Sequence, residues 1–428
     1  DNVYYPLTDK HKVIFAGNPV SYGDERHLAS FFKRHGQSFL FKPLPPSVLY
    51  EQVFKPIWED SAWSDEDKMS MATSCLEVQK TLNEAAGKIV ISPRELCSMA
   101  LFIKQHQGSG QDRLTVAKHY AYSIAKQAVT DEREQSKLQG SLDKLSPIER
   151  KPIEQAPKDT FIYTPSRMGL VHFLDDFLSL RTARLEESLL PESSANKNLT
   201  KGLGGLVIEG EPGIGKSEII IKRLESEGFY KGNEKEDNTG KSVFYPIPVS
   251  MGNERKQALL LKAFNERAVV IIDEINASPM MEGLLNSLLS GTTPEGKAPK
   301  APGFLLIGTQ NPAHMAGRRI ASQALKRRLL QVSLPEYTQP EMQEILERMG
   351  ADPLDVKVLI KRYETQKLIA QQQNTPAPCF RDVIKVTEQM IRSHPTAAPF
   401  QEVNNDLELN LSSRNTYVEP SLGPSMET

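Results

Sequence analysis

The sequence predicts an α/β fold: a phosphate-loop parallel sheet with helices on both faces, followed by an α-helical lid. Three observations predict it. Short β-prone runs alternate with helical stretches from about residue 204 to 334, the pattern of a parallel sheet crossed by helices. A glycine-rich loop stands between the first of those strands and the helix after it, where an anion meets a helix N-terminus. Beyond residue 338 the periodicity is helical alone, which places an all-helical unit after the sheet.

The elements follow in order. Lys12–Gly17 is a short apolar strand that runs into the turn Gly17-Asn18-Pro19. Beyond Pro43-Leu44-Pro45-Pro46 the chain reads helical near Val48–Trp58, Met71–Ala86, Ser92–Lys104 and Thr115–Val129, with Ser92-Pro93 as a helix start. Trp58 and Trp63 read as packing residues of this unit. Thr130–Lys158 is polar and charged with little apolar periodicity and reads as a linker, helical in part. A helix around Met168–Arg184 precedes the strands Leu206–Glu209, Ser242–Val249, Ala268–Ile272, Gly303–Gly308 and Leu329–Leu334. Helices near Ser217–Glu227, Lys256–Glu266 and Met280–Leu289 fill the intervals, Thr338–Ser393 is helical, and the polar stretch after Pro399 reads as a loose tail.

Composition narrows the classes. The chain has 428 residues with 52 Lys plus Arg against 54 Asp plus Glu, a net charge of -2. A dominant nucleic-acid footprint needs a basic surplus, which is missing. No run approaches the ~18 apolar residues of a membrane span. Three scattered cysteines exclude a disulfide framework or a cysteine-based zinc site and suit a reducing, cytoplasmic compartment. A start at Asp1 without a signal-peptide pattern reads as a fragment or a processed product.

Gly210-Glu211-Pro212-Gly213-Ile214-Gly215-Lys216-Ser217 matches G-x-x-x-x-G-K-[ST] in full. Its glycines let backbone N–H groups face a phosphate, Lys216 supplies charge to the outer phosphates, and Ser217 is a candidate Mg²⁺ ligand. Glu218 follows in the same first helical turn and completes the candidate nucleotide contacts. Ala268–Glu274 is a buried strand ending in two carboxylates, placed at the carboxyl edge where open α/β sheets bind ligands. Asp273 is the candidate for the magnesium shell and Glu274 for polarising an attacking water. Asn311, after the strand that ends at Gly308, is a neutral donor for the γ-phosphate or the water; its plain alternative is a turn-forming Asn before Pro. Arg318, Arg319, Arg327 and Arg328 cluster beyond it, and one of them is a candidate arginine finger for a neighbour's nucleotide. Arg381 opens a helix and is positioned to reach back to the phosphates.

Two series in the chain run in the same order. Gly17-Asn18-Pro19, basic residues around Arg34, helices and Ser92-Pro93-Arg94-Glu95-Leu96 form the first. Gln310-Asn311-Pro312, basic residues around Arg328, helices and Cys379-Phe380-Arg381-Asp382-Val383 form the second. They read as a long-period repeat whose first copy lacks its first half.

With these motifs in this order the chain resembles the AAA+ ATPases over about Thr160–His394, the motifs matching that family's Walker A, Walker B, sensor 1, arginine finger and sensor 2. The wording Asp273-Glu274-Ile275-Asn276 and Gly308-Thr309-Gln310-Asn311-Pro312 is most similar to the MoxR, midasin and dynein-related branch. Only eighteen residues separate Val249 from Ala268, which leaves little room for the insert that branch usually carries there. Alignment of Ser322–Leu325 with the family favours Arg328 as the finger, with Arg327 as the alternative. The resemblance implies ATP and Mg²⁺ as cofactors and a division into six parts. These are a partial core (1–46) and lid (47–129) of a first module, a linker (130–159), a nucleotide-binding core (160–336), its lid (337–398) and a tail (399–428). Asn18, Arg34 and Arg94 would be sensor 1, finger and sensor 2 of the first module. The activity implied is Mg-dependent ATP hydrolysis that remodels a protein partner, in a ring or pseudo-ring with a neighbouring module or subunit. The alternatives are a nucleotide-gated scaffold with little turnover and a GTP- or ATP-driven nucleic-acid motor; a small-molecule kinase would need neither Asn311 nor Arg381.

Overall fold

A computed structural model of the protein describes residues 43–106, 110–129, 132–145, 161–189, 204–277, 281–312, 325, 328–373 and 375–393. The expected first half-core with Asn18 and Arg34, the basic residues Arg318, Arg319 and Arg327, and the expected tail lie outside the described residues.

The N-terminal helical unit begins with α1, a continuous stretch made of Pro46–Leu49, the wider π-turn Tyr50–Phe54 and Lys55–Trp58. It continues through α2 (Asp65–Ala86), α3 (Pro93–Gln105) and α4 (Gly110–Ala128). Ser92 caps α3 and Glu95 returns the bond to the Ser92 N–H at 2.8 Å, so two N–H groups of the helix start are satisfied locally. Trp58 is fully buried, donates its indole N–H to the Ala100 carbonyl at 2.9 Å and meets Trp63 edge-on at 5.8 Å. Both tryptophans pack in the core of this unit, Trp63 at its margin.

The expected, partly helical linker over 130–159 contains one described helix. Residues Glu132–Leu145 form a helix, α5, that packs on α2 and buries Leu138 completely. Leu138 stands among charged and polar neighbours, and a narrow apolar stripe of this kind is all the helix offers. Such a stripe has little weight in a sequence window, and it makes a stable helix only when a tertiary partner covers it.

α6 (Pro165–Ser188) follows and carries apolar residues all round, as a helix covered on several sides requires. It touches α3 and the sheet; Phe177 meets Phe102 at 5.8 Å and Phe173 stacks on His119 at 4.1 Å. The core holds β1 (Gly205–Glu209), α7 (Lys216–Ser226), β2 (Tyr230–Lys231), β3 (Val243–Ile247), α8 (Asn253–Glu266), β4 (Val269–Ile272), α9 (Glu282–Leu289), β5 (Leu305–Gln310) and β6 (Leu329–Ser333). All pairings are parallel, in the order β2-β3-β4-β5-β1-β6. Period-two alternation splits the strand side chains between faces. Leu206, Ile208, Ile271 and Ile307 join one core with α6 and α7, while Val207, Val270, Ile272 and Leu306 join another with α8 and α9. With both faces covered, the strands read as unbroken apolar runs. The edge strand β2 is two exposed residues long and leaves no alternation in the sequence.

Leu334–Thr338 leads into the lid: α10 (Gln339–Arg348), α11 (Pro353–Gln373) and α12 (Phe380–Ser393). Glu341, 5% exposed, sets this joint. Its carboxylate accepts the Thr338 N–H at 2.8 Å and, across 175 residues, the Ser166 N–H at 2.7 Å. Burial alone would raise its pKa, but these backbone donors outweigh burial and bring it down to about 2. A folded pKa below the ordinary 4.5 contributes stability that is complete above pH 4.5 and fades as pH falls toward about 2. Glu341→Gln should therefore lower the melting temperature at neutral pH, by the loss of about 1–3 kcal/mol. It should also flatten the decline between those two pH values. Thermal unfolding followed across pH 2 to 7 checks this; an unchanged acid limb would contradict it.

Candidate functional site

The site forms at the carboxyl edge of the sheet, where β1, β4 and β5 end side by side. The loop after β1 turns through Gly213 and Gly215, both at φ 80, in the left-handed region that glycine enters without a side-chain penalty. A Cβ at Gly213 would also strike the Cys379 sulfur at 2.7 Å. Gly215 opens α7, whose first residue is Lys216. The Lys216 ammonium donates to the carbonyls of Gly210 (2.6 Å) and Glu211 (2.8 Å) and to Asn311 Oδ1 (3.0 Å). Burial lowers its pKa to about 8 against the upward pull of Asp273, Glu211 and Glu274, and Arg381 adds to the lowering. An anion arriving here would meet a cation held short of full compensation.

The acids come from the end of β4. Asp273 Oδ1 accepts the Thr309 hydroxyl at 2.6 Å and the Ser217 hydroxyl at 3.3 Å. Glu274 accepts from Asn311 Nδ2 at 2.8 Å, and its own N–H reaches the Thr309 hydroxyl at 3.3 Å. The Glu274 backbone sits at φ 51, a conformation that costs a non-glycine residue about 1–2 kcal/mol and gathers at functional sites. Asn276 holds the Asn311 carbonyl at 3.2 Å. Lys216, Ser217, Asp273, Glu274 and Asn311 are thus joined in one hydrogen-bonded group that spans 95 residues of sequence.

Ser217 and Asp273 present hard oxygen donors to each other. Among the described residues no cluster of three or more His, Cys, Asp or Glu side chains forms a metal cage. That donor set suits Mg²⁺, which takes one or two protein oxygens and shares the rest with phosphates and water.

Arg381 lies in the first turn of α12, its Cβ 3.1 Å from where a Cβ on Gly213 would stand. Arg328 is elsewhere. β1 and β6 run in register, with Gly205 beside Leu329 and Glu209 beside Ser333. Arg328 therefore stands at the amino edge of the sheet, about 16 Å or more along the strand from the phosphate loop. Its guanidinium donates to Ser290 Oγ (3.0 Å) and Asn286 Oδ1 (3.4 Å) on and beside α9. Arg94, expected as sensor 2 of a first module, lies in the first turn of α3, with its N–H on Ser92 Oγ at 3.3 Å.

Four further residues join the site beyond the expected ones. Thr309 bridges both acids, Asn276 holds Asn311, and Tyr337 and Cys379 lean on the loop glycines. Thr309 carried a signal, a hydroxyl two residues before Asn311 at a strand end; the others did not. Cys379 caps α12 with its N–H on Asp382 Oδ2 at 2.9 Å, and burial followed by Asp382 raises its thiol pKa, so it packs as a neutral thiol.

Residues 205–329 match the family described as AAA domain (dynein-related subfamily). Among curated proteins the chain is similar to midasin of Dictyostelium discoideum, 29% identical over 182 residues, which is 39% of this chain and 3% of that protein. It is also similar to midasin of Giardia intestinalis, 26% identical over 218 residues, 44% of this chain and 4% of that protein. The chain spans only a few per cent of the length of these relatives. Among the described residues no helix is long and apolar enough to cross a membrane.

Proposed function

We propose that residues 205–329, which match the dynein-related AAA family and resemble midasin, are the AAA+ core of a chain that binds and hydrolyses ATP with Mg²⁺ and uses the cycle to remodel a protein partner. The observation that carries the reading is the hydrogen-bonded group of Lys216, Ser217, Asp273, Glu274 and Asn311 at one sheet edge. Titration of the intact chain with a fluorescent ATP analogue and Mg²⁺ tests it; no saturable binding would remove it.

In this reading residues 210–218 wrap the phosphates, with backbone N–H groups and the α7 N-terminus facing the anion. Lys216 exchanges its carbonyl partners for phosphate oxygens. Ser217 and Asp273 would hold Mg²⁺, which supplies charge neutralisation between the outer phosphates. Thr309 keeps Asp273 oriented. Glu274 takes the proton of the attacking water, and Asn311, already bonded to that carboxylate, aligns the water or the γ-phosphate. Arg381 approaches from the lid, so that its hold on the phosphates couples lid angle to nucleotide state. The lid, the helical unit 43–129 and the repeat of motifs together support a tandem arrangement of modules. The free thiols of Cys75, Cys97 and Cys379 support a reducing compartment.

The position of Arg328 favours a second reading for the chain in isolation. An arginine at the amino edge cannot reach its own phosphates and would serve a neighbouring module's, in a ring or pseudo-ring. Without that neighbour the chain would act as a nucleotide-gated scaffold that closes on ATP with little turnover. Arg328→Ala is expected to leave ATP affinity within about twofold and to cut turnover of the assembled state ~10³-fold or more. Full turnover in a phosphate-release assay would move the finger role elsewhere, to Arg327 first.

A further inference from the structure

Arg167, in the first turn of α6, is 1% exposed. One terminal nitrogen, Nη1, donates to the Pro335 carbonyl at 2.7 Å and lies 3.0 Å from Ser166 Oγ. The guanidinium carbon stands 3.7 Å from the centre of the Tyr337 ring. The other edge of the group, Nε with Nη2, is buried and finds no acceptor among the described residues. Enclosing a charged guanidinium with three of its five N–H donors idle is costly, and an unbranched apolar side chain would fill the same space. Its stacking on Tyr337 is the interaction such a chain would not replace.

Tyr337 joins the parts that must move together. Its hydroxyl lies 3.2 Å from where a Cβ on Gly215 would stand, in contact with the phosphate loop. Its ring meets Phe380, the residue before Arg381, at 5.1 Å. It belongs to the segment between β6 and α10 that joins core to lid. Arg167 stacks on this ring from α6, and Glu341 fastens the Ser166 N–H to the same joint.

We infer that Arg167 is a positioning residue for nucleotide retention: it clamps the Tyr337 ring against Gly215 and Phe380 and so sets the hinge angle at which Arg381 stands over the phosphate loop. The inference rests on the nucleotide reading of that loop. It requires that Arg167 act through Arg381, a demand that a purely structural role would not make.

The experiment is a double-mutant cycle on the full chain, read as the dissociation rate of a fluorescent ATP analogue with Mg²⁺ present. Arg167→Met is expected to speed dissociation about tenfold, a loss of the order that a desolvated cation–π contact represents. Arg167→Lys, which keeps the charge but not the plane, should recover only part of it. In an Arg381→Ala background Arg167→Met should add less than about twofold. If Arg167→Met does not fold, judged by its melting curve, Arg167→Lys and Tyr337→Phe are run through the same cycle. Wild-type dissociation rates in these variants, or an equal acceleration with and without Arg381, would overturn the inference alone, provided the wild type binds and Lys216→Ala does not. Absence of binding by the wild type would overturn the nucleotide reading and the inference with it.

Discussion

Lys216→Ala should weaken ATP binding about 100-fold or more. The ammonium is the only cation of the hydrogen-bonded group described above, and it already bonds three oxygens within 3.0 Å. A triphosphate would take over those donors as charge-assisted bonds, worth about 1.5–3 kcal/mol each in net terms. Losing the equivalent of one or two of them is roughly two decades in the dissociation constant. Burial has already lowered the Lys216 pKa to about 8, so truncation removes a poorly solvated charge, and the fold is expected to tolerate it. Equilibrium titration with the analogue, beside a melting curve, separates lost binding from lost structure. An affinity within threefold of wild type would place the phosphates elsewhere.

Glu274→Gln should do the opposite, keeping ATP while cutting turnover ~10²–10⁴-fold, the range for loss of a general base. The amide matches the carboxylate in size, and its oxygen can still accept from Asn311 Nδ2, which lies 2.8 Å from the present Oε1. The backbone at φ 51 carries the same strain with either side chain, so the geometry has no reason to change. What disappears is the proton acceptor. Phosphate release in the presence of a neighbouring module measures the effect, and the same assay divides the two readings of function. A remodelling ATPase loses its partner-directed activity with this change; a scaffold that works by binding keeps it.

Much of this site is legible in the sequence, because its signals are local. Glycines at 213 and 215, a lysine after them and a strand ahead specify a loop within eight residues. An apolar run ending in Asp273-Glu274 specifies acids at a strand end. The strands from β1 to β6 were legible for the same reason, except β2, which is too short and too exposed to leave a pattern. α5 was legible only as partial helicity in a polar stretch, since the burial of Leu138 depends on α2. The distance between Arg328 and the phosphate loop was hidden as well. Sequence order places Arg328 just before β6, but only the parallel register of β6 with β1 puts it at the far edge.

Alone, the amino-acid sequence determined the chemistry on offer: a cup for a phosphate, a lysine, two acids and an amide, each specified by its near neighbours through backbone preference and strand length. The tertiary structure decided which of these groups touch and which stand apart. β5 inserts between β4 and β1, bringing Asn311 to Lys216 and Glu274, and the hinge packs Arg167 behind Tyr337. Strand order and hinge packing come from burying two sheet faces and a lid at once, a cooperative balance over residues far apart in the chain. No local pattern encodes that balance.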